Sequence, residues 1–169
     1  MLATYKDVHT AYVADIRAAV FTFLADLGPE PDVELIGKEL QVEHEYHRAA
    51  IIATLSKYRG PAVLDLVNDA LDDPSPVAQS AAIEIAGKIG DEQLIPHLER
   101  LLESDNRNVH FGAARALTML TSGMFDWRKV PEPVPPLIRQ QQPEKIEKMV
   151  AAWREWRDAN LASFSTLRA

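Results

Sequence analysis

The sequence predicts an all-α fold: an α-α superhelix, or solenoid, of about four stacked helical hairpins that ends in a capping helix. Three observations support this prediction. Four segments align without gaps at a constant step of 31 residues, starting at Ile16, His47, Ala78 and Val109. Apolar residues recur in each segment with the period of a helix, and no stretch keeps the alternation of a strand. One hairpin cannot bury its own apolar stripe, so stacked neighbours must cover it.

The first helix of each hairpin is the aligned segment, whose positions we number from 1 to 13. Positions 1, 5, 8, 9 and 12 are mostly apolar and predict a wide buried stripe. Position 4 is small in every copy, which lets a neighbouring helix come close. In the first copy the stripe comprises Ile16, Val20, Phe23, Leu24 and Leu27.

The second helix of each hairpin follows the same step, since Val33, Leu64 and Ile95 correspond to one another. Proline and glycine mark the helix ends. Pro61 and Pro76 stand where helices are expected to begin, and Gly90 stands where one is expected to end, as glycine often does.

The segment from Asp72 to Ser104 resembles a HEAT repeat, and is most similar to the short bacterial type called PBS-lyase HEAT-like. It has an aspartate and proline turn, an alanine-rich helix ending in Ile-Gly, and a Leu-Ile-Pro-x-Leu helix. The resemblance covers roughly residues 10–125. It implies a repeat scaffold that contacts ligands on its concave side, where the first helices should lie. It also brings in two enzyme alternatives, a bilin-lyase-like and a DNA-glycosylase-like protein.

Charge and composition exclude several classes of site. The chain has no cysteine, so a disulfide framework, a thiolate metal site and a thiol nucleophile are excluded. The net charge is −7, and because nucleic-acid affinity depends on neutralised phosphates, we do not expect nucleic-acid binding. No apolar run is long enough to span a membrane, and the N-terminus lacks a signal peptide, so we expect a cytoplasmic protein.

Catalytic and metal-binding patterns are also missing from the sequence. His44 and His47 are one helical turn apart, but residue 48 is Arg, so the His-Glu-x-x-His zinc pattern is not formed. There is no nucleophile elbow and no glycine-rich phosphate loop. We therefore predict a protein that is not an enzyme and has no cofactor and no metal.

Two rows of side chains along the first helices are candidate partner-binding residues. Position 2 holds Arg17, Arg48, Gln79 and His110, which form either a polar ridge for a partner or a ladder that bonds nearby acidic turns. Position 6 holds Phe21, Ile52 and Ile83, with Ala114 in the last copy. An exposed apolar row marks an interaction surface, but the same residues are core if the helices are rotated slightly. Both alternatives stay open from the sequence.

The predicted domain organisation is one domain in three parts. Residues 1–125 form the repeat solenoid, 126–142 a proline-rich extended linker, and 143–161 a capping helix anchored by Trp153.

The fold and the missing catalytic patterns predict a non-enzymatic protein–protein interaction module: an adaptor, a chaperone, or an inhibitor or immunity-type protein. Its partner would be another protein, with a basic surface to match the acidic chain. A further alternative is a homo-oligomeric structural unit joined through position 6.

Overall fold

The computed structural model of the chain describes residues 13, 16, 18–24, 26, 32–42, 44–58, 60–126 and 143–167. These residues form α-helices and short 3-10 turns, and none of them lies in a strand. The predicted all-α fold class is therefore confirmed. The chain divides into two compact units, residues 1–85 and 86–169.

The helices follow the order that the repeat predicts. The described residues from 13 to 26 are helical and are called the N-terminal helix below. The others are α1 Val33–Leu40, α2 Glu45–Thr54, α3 Pro61–Leu71, α4 Pro76–Ile89, α5 Ile95–Leu101, α6 Arg107–Leu120 and α7 Pro143–Leu167. The N-terminal helix, α2, α4 and α6 are thus the four first helices, and α1, α3 and α5 are second helices.

Local sequence sets the helix ends much as expected. Pro61 and Pro76 occupy the first positions of α3 and α4, where the missing N–H of proline costs nothing. The Asn106 side chain accepts hydrogen bonds from two N–H groups of the first turn of α6, which have no partner within the helix. Gly90 follows α4 with a φ of 69°, a conformation that glycine adopts without strain.

The core of the first unit lies where α1, α2 and α3 meet. Helix α1 contacts both α2 and α3. The buried residues include Ile36 from α1, Ile51 and Ile52 from α2, and Val67 and Leu71 from α3. Tyr58, just after the 3-10 turn that continues α2, is also buried and ties this core to the N-terminal helix. Its hydroxyl donates a 2.7 Å hydrogen bond to the carbonyl of Phe21.

The core of the second unit is built on α5 and α6, which contact each other, and on α7. Helix α7 begins at Pro143, as predicted, and continues to Leu167, beyond the predicted end at residue 161. Trp153 is fully buried, and its ring meets that of Phe125 edge to face at 4.9 Å between centroids. The predicted linker, apart from Asp126, lies outside the described residues.

Two guanidinium groups of α7 fasten its outer side to α5. Arg157 Nη1 donates to Glu99 Oε1 at 2.6 Å, and Arg154 Nη2 donates to Glu103 Oε1 at 2.6 Å. The hydrogen bonds to Asp158 and to Glu99 raise the pKa of Arg157. Because Arg154 and Glu103 are half-exposed, we expect these pairs to orient α7 more than to stabilise it.

Candidate functional site

The position-2 residues form a ladder inside each unit. Gln79 Nε2 donates to the carbonyl of Leu71 at 2.8 Å, and His110 Nδ1 donates to the carbonyl of Leu102. These two bonds are one repeat apart and satisfy the carbonyl at the end of the preceding second helix, which has no partner within that helix. These side chains thus bond within the chain, as in the ladder alternative, but Gln79 and His110 bond carbonyls where acidic turn groups were expected. Arg17 lies outside the described residues.

Arg48 reaches an acidic turn, as the ladder alternative predicted. Its guanidinium binds Asp73 through two hydrogen bonds, Nε to Oδ2 at 2.7 Å and Nη2 to Oδ1 at 2.8 Å. A third, from Nη1, goes to the carbonyl of Val42 at 2.8 Å. Only 11% of the Arg48 side chain and 9% of the Asp73 side chain are exposed. The pair therefore joins α2 to the turn after α3 from inside the protein.

The electrostatics of this pair follow from its geometry. The hydrogen bond to Asp73 raises the pKa of Arg48 against the opposing effect of burial. Burial alone would raise the pKa of Asp73, but hydrogen bonds from Arg48 and from the backbone N–H of Ser75 outweigh it, so that pKa is lowered. Both groups are therefore charged at neutral pH. Neither presents a free hydrogen-bonding edge of the kind a position-2 ridge for a partner would need.

The position-6 row is not an exposed surface, and this prediction is corrected. Phe21, Ile52 and Ile83 are exposed by only 5%, 0% and 1%, and Ala114 is fully buried. A first helix in a stack is covered by more than one neighbour, so its apolar face extends over position 6 as well as positions 5 and 8. The alternative in which these residues are core is the correct one. His110 is likewise 2% exposed and faces the interior.

A different apolar surface is exposed, on the N-terminal helix. The exposed fractions of Ile16, Val20, Phe23 and Leu24 are 47%, 50%, 61% and 40%. They occupy positions 1, 5, 8 and 9 and line one side of the helix, which we call the N-terminal apolar face. The sequence predicted that these residues are buried, and for this copy that prediction is wrong. The physical reason is that no earlier hairpin stands before this helix among the described residues.

The same positions are buried in every later copy. In α2 they are His47, Ile51, Thr54 and Leu55, in α4 Ala78, Ala82, Ile85 and Ala86, and in α6 Val109, Ala113, Ala116 and Leu117. The sequence carried one signal that sets the first copy apart. Its position 8 is Phe, whereas α2, α4 and α6 have Thr, Ile and Ala there.

The first unit also contains a cleft of about 560 Å³ between α1 and α3. Gly37, Leu40 and Gln41 line it from the side of α1, and Leu66, Asp69 and Ala70 line it from the side of α3. Ile52 and the Arg48–Asp73 pair are also part of its lining. The sequence analysis missed this cleft, although Gly37 stands where the next two copies have Asn68 and Glu99.

Comparison with protein families agrees with the repeat. A family model described as HEAT repeats matches residues 33–118 and, in a second, overlapping match, residues 66–153. The chain belongs to the HEAT-repeat family. None of the curated proteins compared with it matches significantly. HEAT repeats are typical of protein-interaction and scaffold modules, and none of the described helices is long and apolar enough to cross a membrane.

Proposed function

We propose that this HEAT-repeat chain is a non-enzymatic interaction module, an adaptor or an inhibitor, that binds an amphipathic helix of a partner protein on its N-terminal apolar face. The observation that carries this proposal is the exposure of Phe23 and its three neighbours, at positions that every later copy buries. The largest exposed apolar patch of a protein is often a contact surface.

The repeat indicates that the ligand of this face is a helix. In the second unit, position 8 of α6 is Ala116, and it packs closely against α4. A Cβ added at Gly87 would lie only 3.0 Å from the Cα of Ala116. A first helix therefore receives a neighbouring helix on this side. With Phe23 in place of alanine at position 8, the partner needs an apolar groove or small residues opposite the ring.

The size of the face favours a different protein over a second copy of this chain. Four partly exposed side chains present a few hundred Å², whereas stable interfaces bury about 800 Å² per partner. Two copies meeting through this face alone would fall short of that area. A partner helix that continues onto the surrounding acidic surface adds the missing contacts.

Charge indicates the chemistry of that partner. Asp26 is exposed, three residues after Phe23 on the same helix, and Asp32 is exposed at the start of α1. The chain as a whole has a net charge of −7. We therefore propose basic residues beside the apolar side of the partner helix, which would raise the rate of association at low salt.

The test is a comparison of two charge variants. Val20→Asp with Phe23→Asp places charges in the N-terminal apolar face, and Met124→Asp is the matched control because Met124 is 49% exposed in the second unit. A photo-crosslinking residue at position 23 would capture a partner for identification. The purified partner should then bind the control with unchanged Kd and the double variant at least about tenfold more weakly.

Three results would contradict the proposal. One is equal binding of the purified partner to the double variant and the control. Another is light scattering that shows a dimer dissolved by the double variant, which would make a second copy the ligand. The last is tight binding of duplex DNA that weakens steeply with salt, which would favour the glycosylase-like alternative.

A further inference from the structure

The α1–α3 cleft is lined on one side by a residue without a side chain. Gly37 lies on α1, and a Cβ added there would meet no atom within 4 Å. The residues one and two repeats later are Asn68 and Glu99, both with long polar side chains. Glycine in the middle of a helix costs about 1 kcal/mol relative to alanine. Gly37 lines an open volume of about 560 Å³, which is a size typical of small-ligand sites.

The lining of this cleft is apolar at its base and acidic at its edge. Leu40 is half-buried, and Leu66 is 8% exposed. Asp69 and Asp72 line the same cleft and are exposed. The base therefore suits an aliphatic stem, and the edge suits a positive charge.

The lining already contains one cationic side chain, Arg48, and it is paired with a carboxylate. Arg48 is bound through two hydrogen bonds to Asp73, so these two charges offset each other. The lining includes two further carboxylates, Asp69 and Asp72, so it has more acidic than basic side chains. Helices α1 and α3 also end beside the cleft, at Leu40 and Leu71, and helix C-termini carry partial negative charge. All of these features favour a cationic ligand over an anionic one.

The second unit shows what the same side of a second helix can bind. Glu99, which corresponds to Gly37, accepts hydrogen bonds from the guanidinium of Arg157 at 2.6 and 2.5 Å. Glu103, which corresponds to Gln41, accepts one from Arg154. In the first unit the acidic groups stand on α3, across an open cleft from Gly37.

We propose that the α1–α3 cleft binds an organic cation: a guanidinium or ammonium group carried on a short aliphatic stem. The stem lies against Leu40 and Leu66, and the charged group lies at the acidic edge, beside Asp69. Such a group occurs on a free small molecule and on an arginine side chain of a peptide. The cleft is separate from the N-terminal apolar face and does not depend on the function proposed for that face.

The probes are chosen to isolate the charge. Butylguanidinium carries the proposed group, and butylurea has nearly the same shape without the charge. The second pair is a blocked Ala-Arg-Ala peptide and its citrulline counterpart. Binding is followed by amide chemical shifts in ¹H–¹⁵N spectra of the full chain. We expect butylguanidinium to shift the amides of Gly37, Gln41 and Ala70 with a Kd of about 1 mM or tighter.

Three variants test the lining. Asp69→Asn with Asp72→Asn should weaken binding by at least about tenfold, because charge-assisted hydrogen bonds are lost. Gly37→Leu should abolish binding by filling the cleft, and because a Cβ at this position meets no atom within 4 Å, we expect the fold to be kept. Asp65→Asn is the matched control, an exposed carboxylate on α3 that is not part of the lining, and it should bind like the unmodified chain. Circular dichroism confirms that each variant is folded.

The outcomes separate the two sources of the cation. Tighter binding of the arginine peptide than of butylguanidinium supports a side chain of a protein partner, and the reverse supports a free metabolite. Equal binding of butylurea, or no effect of the paired Asn substitutions, overturns the proposal. The Val20→Asp, Phe23→Asp double variant should bind butylguanidinium normally. Failure of either proposal therefore leaves the other standing.

Discussion

Replacing Arg48 by methionine tests whether the buried ion pair organises the first unit. Methionine keeps most of the aliphatic stem but removes the hydrogen bonds that the guanidinium donates, among them two to Asp73 and one to the carbonyl of Val42. The Asp73 side chain is 9% exposed, so water can replace little of what is lost. Asp73 retains the 2.8 Å hydrogen bond from the backbone N–H of Ser75.

The magnitude follows from the burial of the remaining charge. Removing one partner of a buried ion pair costs about 3–5 kcal/mol, mostly because the other charge is left unpaired. The bond that Asp73 keeps from Ser75 places the expected loss near the lower end, at about 3 kcal/mol. A loss of that size is a large part of the total stability of a typical domain, about 5–15 kcal/mol. Urea unfolding followed by far-ultraviolet circular dichroism would measure it.

A second substitution identifies the cause of the loss. Asp73→Asn in the Arg48→Met background removes the unpaired charge, so the double variant should be more stable than Arg48→Met alone. The coupling energy between the two sites should be about 1–3 kcal/mol. If the double variant loses the sum of the two single losses, the pair is not coupled and the reasoning is refuted.

The effect should also depend on pH, with a sign set by Asp73. Its pKa lies below the ordinary 3.8 in the folded chain, so its stabilising contribution is present above that value and is lost as pH falls through the lowered pKa. Without Arg48, burial favours the protonated carboxyl. The stability difference between the two proteins should therefore be largest near neutral pH and shrink towards pH ~4. A difference that stays constant over this range would contradict the assignment.

Two further predictions concern a tyrosine and a pair of glycines. Tyr58→Phe should lower the free energy of unfolding by about 1–2 kcal/mol, because the carbonyl of Phe21 loses its buried donor. Burial also raises the pKa of Tyr58, so the stability of the unmodified chain should fall as pH rises above 10.0, and the stability of the variant should fall less. Gly87→Ala should destabilise, since its Cβ would lie 3.0 Å from a backbone atom of Ala116, whereas Gly37→Ala meets nothing and should stabilise by about 0.5–1 kcal/mol. Thermal unfolding of both glycine variants checks the opposite signs, and equal signs would contradict the packing argument.

The fold could be predicted from the sequence because the same pattern of apolar residues recurs in four copies. Helix starts at Pro61 and Pro76 and the end at Gly90 follow from the backbone limits of those two residue types. These helix ends depend on neighbouring residues alone, so they can be predicted from a single sequence. The apolar face of its helix also predicted that Trp153 packs against the rest of the protein, and Trp153 is fully buried.

The candidate site was less predictable because it depends on how the helices pack against one another. The α1–α3 cleft is lined by Gly37 on one helix and by residues of a second helix, and its volume depends on the distance between the two helices. A sequence gives the residue but not that distance. The partner of Arg48 was predictable in kind, an acidic turn, but the choice of Asp73 depends on how α2 and the turn after α3 pack. The same limit explains why Gln79 and His110 bond carbonyls.

The error over position 6 has a physical cause that applies to repeat proteins in general. A helix inside a stack contacts neighbours on several sides, so most apolar residues on it are buried whichever way they point. Val20 and Ile51 occupy the same repeat position, yet Val20 is 50% exposed and Ile51 is fully buried. Residue type cannot separate them, since both are β-branched and apolar. What separates them is the set of neighbours that each copy has, so in such a chain an exposed surface is indicated by the packing of each copy and not by a row of residues that recurs in every copy.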